Sequence, residues 1–196
     1  MNIFLDIQGD IDSLIEQFGD SPDKVSKVTE RALRKLSKFA ERKTLQALSR
    51  QVNVSQKLIK DLGRVRATLA KTGNRQDYEL VVWLGIFDIG AHKLGKPQPT
   101  NKGVKTGKFF WDGAFTFQPM NSPHEMVFKR RADWVHKFKR SRASGRMMWI
   151  GLPIEKQTLP IYQEAAAALE NIQPLLLDRF TVLMQQELNY AFNVES

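Results

Sequence analysis

Three stretches of the sequence have residue types and spacings that could perform chemistry, and the first has the spacing of a phosphate-binding loop. It reads GAHKLGKP, so Gly90 is followed after four residues by Gly95 and Lys96. The motif continues with a Ser or Thr that binds Mg²⁺ and a helix whose amides face the phosphates. Pro97 stands there instead and offers neither a hydroxyl nor an N–H group. The sequence therefore argues against a nucleotide site.

The histidines form no recognisable catalytic or metal-binding pattern. His92, His124 and His136 are scattered, without an HExxH motif or a His/carboxylate pair at helical spacing. The sequence SPHE at 122–125 contains Ser, His and Glu, but neighbouring residues cannot converge as a triad, and it reads as a turn entering a strand. The chain has no cysteine, which excludes thiolate chemistry. We expect no enzyme activity, metal or cofactor.

The third stretch is strongly basic and reads KRRADWVHKFKRSRASGR from residue 129 to residue 146. It holds eight Lys or Arg residues and one acid, Asp133. Cations neutralise phosphates and aromatic rings stack on bases, so the stretch is a candidate nucleic-acid contact. The candidate contact residues for DNA or an acidic partner are Lys129, Arg130, Arg131, Lys137, Lys139, Arg140, Arg142 and Arg146.

The same stretch also has an explanation without nucleic acid. If ADWVHKFKR is a strand, Trp134, His136 and Phe138 share one face, because side chains alternate along a strand. The other face would carry Asp133, Val135, Lys137 and Lys139. The aromatic rings would then face a core, and RSRASGR would be a basic hairpin tip. This pattern does not distinguish DNA from an acidic protein neighbour, so both partners stay open.

Composition limits the broad class of protein. The 196 residues carry a net charge of +9 and are 42% apolar, which suits one folded domain with an anionic partner. No apolar run is long enough to cross a membrane, so we expect no membrane association. The opening MNIFLDIQGD has no basic region of the kind that begins a secretory signal. Together with the lack of cysteine, this fits an intracellular product.

The elements that would position these stretches follow from periodicity. Helices are predicted at 10–18, from Pro22 to about Gln51, at 53–63 with Ser55 as the cap, and from residue 160 onward. Pro174 should kink or divide the last one. Strands are predicted at 2–7, in a hairpin across 64–87, and in short segments from 108 to 156. Helices, then strands, then a helix indicate an α+β fold with an antiparallel sheet.

A different signal runs from residue 88 to residue 120. Its first part is rich in Gly, Lys and Pro and has no periodicity, which is typical of a long functional loop. We therefore expect one domain over residues 1–196, from which residues 88–120 extend as a loop or arm.

The sequence as a whole resembles the phage minor tail protein Z family of tail completion proteins. The segments that carry the resemblance are KVTERALRKLSKFAERKTLQAL, VSQKLIKDLGRVRATLAK, FKRR, RMMWIGLPIEK and the closing helix. The acidic opening DIQGDIDSLIEQFGDSPD departs from the family pattern. This departure argues against a DNA role for the N-terminus.

The resemblance implies a structural protein of the virion. It implies that the protein lies at the head-proximal end of the tail and that the particle assembles in the host cytoplasm. It also implies a homo-oligomeric ring, expected to be a hexamer. Partners would be the tail tube, neck or connector proteins, and phage DNA. Arms often lie across the next subunit of a ring, and aromatic residues are enriched at interface cores. Candidate subunit-interface residues in the arm are Phe109, Phe110, Trp111, Phe115 and Phe117. A self-contained hairpin that feeds the core stays open as the alternative for this segment.

Overall fold

The fold consists of two compact units. The computed structural model describes residues 2–4, 22–72, 77–120, 122–131, 137–142, 144–150 and 154–194. Unit 1 comprises Met1–Phe87 and Ile161–Ser196, and unit 2 comprises Asp88–Pro160. Unit 2 is inserted between the two segments of unit 1. Composition does not mark the boundaries of such an insertion, and the sequence therefore predicts a single domain.

Unit 1 is built around two long helices, as their hydrophobic periodicity predicts. Helix α1 spans Pro22–Gln51, the short α2 spans Gln56–Asp61, and α3 spans Tyr162–Asn193. The side chain of Ser55 accepts a hydrogen bond from the Leu58 amide, which confirms the predicted cap of α2. Contacts near residues 24 and 192 and near 39 and 179 show that α1 and α3 are antiparallel. The predicted helix at 10–18 lies outside the described residues.

Helix α3 continues through its proline. Pro174 lies inside an unbroken helical span, so the expected division into two helices does not occur. The proline is exposed, as is Glu170, whose carbonyl loses its intrahelical partner. Water can hydrogen-bond to that carbonyl, and the buried positions on both sides of Pro174, such as Ile172 and Leu176, hold the two halves of α3 in place.

A three-stranded antiparallel sheet completes unit 1. Its strands are β1 Asn2–Phe4, β2 Val65–Thr72 and β3 Asp77–Leu84, in the order β1-β3-β2. The alternation predicted for β2 is confirmed at its start, because Val65 is buried while Arg66 is exposed. The register places Val65 opposite Leu84, so the buried residues of both strands share one face. Ser37 of α1 donates a hydrogen bond to the Ala67 carbonyl oxygen at 3.2 Å, which places this face against α1.

Unit 2 consists of short antiparallel strands. They are β4 Ile89–Gly90, β5 Pro97–Thr100, β6 Gly103–Thr106, β7 Phe109–Asp112, β8 Ala114–Phe117, β9 Met126–Arg130, β10 Lys137–Arg140, β11 Met147–Ile150, β12 Ile154–Lys156 and β13 Thr158–Leu159. They form three-stranded sheets β5-β6-β7 and β12-β9-β8 and the pairs β10-β11 and β13-β4. The α+β class with antiparallel sheets is therefore confirmed.

The structure does not show the extended loop predicted between residues 88 and 120. Most of that segment is paired strand, and its glycines serve the turns and close approaches between strands. Gly107 has φ +58° in the turn between β6 and β7, where a left-handed residue is required. The prolines at 97 and 99 lie in β5, an edge strand, where a missing N–H group is tolerated. The glycines and prolines that led to the prediction of a loop thus lie in tight hairpins.

Among the residues that the structure describes, no helix has the length and apolar character needed to cross a membrane.

Candidate functional site

The basic stretch forms a hairpin with an ordered tip. Strands β10 and β11 pair with Lys137 opposite Ile150 and Arg140 opposite Met147. At the tip, the Ser141 amide donates to the Arg146 carbonyl oxygen at 2.8 Å. The Arg140 Nε donates to the Gly145 carbonyl oxygen at 2.7 Å. This turn leaves the side chains of Arg142 and Arg146 exposed to solvent.

The prediction that aromatic side chains of this stretch face a core is wrong for Phe138. Its side chain is 54% exposed, and the register places it opposite Trp149. A two-stranded ribbon buries little surface by itself, so rings and cations are presented to solvent together. Trp134 and His136 lie outside the described residues.

The eight candidate cations separate into two groups. Lys129 and Arg130 lie on β9 and Arg131 follows it, whereas the other five lie on the hairpin of β10 and β11. Arg131 is exposed, and the Arg130 guanidinium lies 5.8 Å from the centre of the Phe115 ring. Lys129 is half-buried opposite Glu155 of β12. Arg142 and Arg146 of the second group are exposed at the tip of the hairpin.

Two of the five candidate interface aromatics are half-buried on the face of β7 that points to the core of unit 2. Trp111 packs on a core of buried Ala91, Val104, Ala114 and Val127. Its indole Nε1 donates to the Thr106 hydroxyl at 2.7 Å, and Thr106 is fully buried. Phe109 is on the same face of β7 as Trp111, since the two are separated by one residue, and their ring centres are 6.5 Å apart. For these two residues, the alternative of a hairpin that feeds the core is the better description.

The remaining aromatics lie on outward faces. Phe110 is 52% exposed on the outer face of β5-β6-β7. Phe115 and Phe117 lie on the face of β12-β9-β8 opposite the buried Ala114 and Val127. We call this surface the aromatic face, and it consists of Phe115, Phe117, Met126, Phe128 and Ile154.

The aromatic face is apolar and incompletely covered. The rings of Phe117 and Phe128 meet edge to face with their centres 6.0 Å apart, a favourable aromatic geometry. Phe117 is nevertheless 41% exposed, and the other four members are half-buried. Arg130 and Lys156 are exposed on the same face and place charge beside it. An apolar centre next to cations is the usual anatomy of a protein–protein contact.

No protein-family model, curated protein or solved structure matches this chain. The residues of the site and their geometry therefore carry the argument for function.

His92 is the titratable residue of unit 2 with the most distinctive surroundings. Burial lowers its pKa from the usual value, and Lys156, Lys93 and His124 lower it further. Its Nδ1 atom is buried without a hydrogen-bond partner. These causes keep the ring neutral at pH 7. Within the described ranges, no three His, Cys, Asp or Glu residues are grouped so that they could hold a metal ion.

A second basic surface lies on the charged face of α1. The structure adds two adjacent cavities of about 140 and 500 Å³ at this face. They share Arg31, and residues of α3 form their other wall. The sequence shows the cations, but it does not show the opposite wall of the cavities, because the residues of that wall lie about 160 positions later in the chain.

Proposed function

We propose that this protein is a structural subunit at the head-proximal end of a phage tail, where copies form a ring that completes the tail tube. The observation that carries the proposal is the aromatic face. Exposed Phe117 and its half-buried neighbours form an apolar patch, and such patches mark sites of association. The resemblance of the sequence to tail completion proteins supplies the biological setting.

The geometry of the aromatic face suits a subunit contact in a ring. Strands β8 and β12 are the edges of their sheet, so the patch ends on both sides at backbone that can meet another chain. A neighbour that covers the patch with a different surface of its own makes a head-to-tail contact, and such contacts form a ring when the rotation from one subunit to the next closes. The exposed cations of unit 2 would then recur around the ring and form a basic band. Acidic tube or neck proteins, or phage DNA, are the partners that such a band would attract.

A second candidate function is direct binding of DNA by the hairpin of β10 and β11. The observation in its favour is that Arg142, Arg146 and Phe138 are all exposed on one short ribbon. Cations next to an exposed ring are the combination that holds single strands.

We expect Phe117→Asp to prevent self-association. A carboxylate on the aromatic face would have to be desolvated at the contact, which costs several kcal/mol for an unpaired charge (roughly 2–5) and weakens association at least about thirtyfold. The measurement is the molar mass by light scattering across a concentration series. Phe110→Asp is the matched control, because it adds the same charge at an exposed phenylalanine on the other sheet. If Phe117→Asp assembles like the wild type, the aromatic face is not the subunit contact.

A further inference from the structure

Helix α1 carries a continuous stripe of positive charge. The stripe consists of Lys24, Lys27, Arg31, Arg34, Lys35, Lys38 and Arg42. At 3.6 residues per turn these seven positions fall within an arc of about 100°, and they extend over about 27 Å of helix. The buried positions of α1, such as Ala32 and Leu36, point away from this arc. We call this surface the basic stripe.

The basic stripe lies beside α3, and the two helices together form a concave site. The smaller cavity is lined by Lys24, Lys27, Val28 and Arg31 of α1 with Ala191 of α3. The larger cavity is lined by Arg31, Arg34 and Lys35 with Gln186, Glu187 and Tyr190 of α3. Tyr190 is 49% exposed and therefore offers an accessible ring at the edge of the site. Cations, an amide, a carboxylate and an aromatic ring thus line one surface.

Two carboxylates fix part of the stripe in place. Glu187 is 6% exposed and accepts a hydrogen bond from Lys35. Glu30 accepts from Arg34 and from the Tyr78 hydroxyl, and the Tyr78 hydrogen bond, at 2.7 Å, raises the pKa of Tyr78. These contacts orient Lys35 and Arg34 and leave Lys24, Lys27 and Lys38 exposed along the rest of the arc.

Positive charge is also concentrated near residue 39. The centre of the Phe39 ring lies 5.8 Å from the Arg42 guanidinium, 5.6 Å from the Lys43 ammonium and 5.8 Å from the Arg179 guanidinium. One ring attracts each cation weakly, by about 0.5–1 kcal/mol at exposed sites, while the three cations repel one another. A bound anion would relieve that repulsion.

We infer that the basic stripe binds the phosphate backbone of a nucleic-acid strand. Seven cations over about 27 Å are separated on average by roughly 4.5 Å of helix axis, and one strand of a duplex carries a phosphate per about 3.4 Å of its own axis, so a strand supplies at least one phosphate for each cation. A small anion would contact only one turn of the stripe. A linear polyanion engages its whole length, and Tyr190 stands where a base could stack.

An acidic protein segment fits the stripe less well. An acidic helix matches the stripe only if it carries a carboxylate at nearly every third or fourth position over about 27 Å, as α1 does for cations, and few protein segments do. Phosphates recur at every nucleotide, and exposed lysines pair with them as point charges without a fixed geometry. The inference concerns unit 1 and does not depend on how unit 2 contributes to assembly.

The test is binding of a fluorescein-labelled single-stranded DNA of about 20 nucleotides, longer than the site sizes typical of such grooves, measured by anisotropy over a series of salt concentrations. The variant is Lys27→Gln with Lys38→Gln, which removes two exposed cations of the stripe. We expect affinity to fall about tenfold and the slope of log K against log salt to decrease by about 1.4, since each lost contact with a single strand contributes about 0.7.

The matched control is Lys57→Gln with Lys60→Gln, which removes the same charge from exposed positions on α2 of the same unit. The inference is overturned if both double variants bind the DNA equally, or if poly-glutamate of equal charge displaces the DNA as well as unlabelled DNA does. A third variant, Arg142→Gln with Arg146→Gln, separates this site from the hairpin of unit 2. Loss of binding in that variant, with none in the stripe variant, would overturn the inference and favour DNA binding by the hairpin.

Discussion

Replacing Gly103 by alanine is expected to destabilise unit 2 by about 3 kcal/mol, because the new methyl group has no space. A Cβ atom at Gly103 would overlap the carbonyl oxygen of Trp111 and lie 3.1 Å from the amide nitrogen of Gly113. Both atoms belong to backbone, which cannot rotate aside as a side chain does. Strand β6 would have to separate from β7, and Trp111 and Val104, which lie opposite each other in that register, would lose their packing.

Hydrogen–deuterium exchange of the peptides that cover β6 and β7 measures this effect. We expect protection of these amides to fall by about a hundredfold, the equivalent of about 3 kcal/mol. Gly145→Ala is the matched control, because Gly145 also has a positive φ, +65°, but a Cβ atom added there would meet no other atom within 4 Å. Its cost is only that of the left-handed conformation, about 1 kcal/mol. Equal exchange in the two variants would show that β6 and β7 do not approach as described.

Phe180→Ala is expected to destabilise unit 1 by about 3–5 kcal/mol, the usual cost of removing a fully buried ring. Phe180 is 1% exposed and lies on the same face of α3 as Leu176 and Met184, which are also fully buried. This face packs on α1, so the cavity would open between the two helices. Neither helix can close it without losing the contacts on both sides.

Urea unfolding followed by circular dichroism at the helical minimum measures this loss, since α1 and α3 hold most of the helix of the chain. The matched control is Val182→Ala, a truncation on the exposed side of the same helix, where Val182 is 40% exposed. We expect that change to stay within about 0.5 kcal/mol. Similar midpoints for the two variants would contradict the packing of α3 on α1.

Much of unit 1 could be predicted because its signals are local and strong. The bounds of α1 match the prediction because Pro22 suits the first helical turn and the apolar residues recur over thirty residues. The hairpin of β2 and β3 could be predicted because its residues are strand formers on both sides of a turn. Pro174 left a kink and a division of α3 both open, because the outcome depends on exposure of one carbonyl and on packing at both sides of the proline.

Unit 2 could be predicted only in part, because strands of two to five residues are too short to show a period. The glycines and prolines before residue 108 indicated a loop, whereas their role is to permit tight turns and close strands. Phe109 and Phe110 are neighbours in sequence but lie on opposite faces of β7, and only the register of that strand decides which one meets the core. Phe138 was expected to face a core, which requires another element to pack on its strand. Alternation of side chains along a strand does not show whether such an element exists.

The candidate binding surfaces, too, could be predicted from the sequence only in part. The basic residues of the hairpin and of α1 are evident in the sequence, but which of them form one surface depends on partners far along the chain. Phe115 and Phe117 meet Phe128 across β8 and β9, and Arg31 meets α3 residues such as Gln186 and Tyr190. Such long-range pairs cannot be read from composition or spacing.

The central claim is that copies of this chain assemble into a closed ring through the aromatic face. Negative-stain electron microscopy of the purified protein, with classification of single particles, tests it most directly. We expect closed rings of one rotational symmetry for the wild type and for Phe110→Asp, and isolated subunits for Phe117→Asp. Isolated subunits of the wild type at every concentration, or rings that persist in Phe117→Asp, would contradict the account.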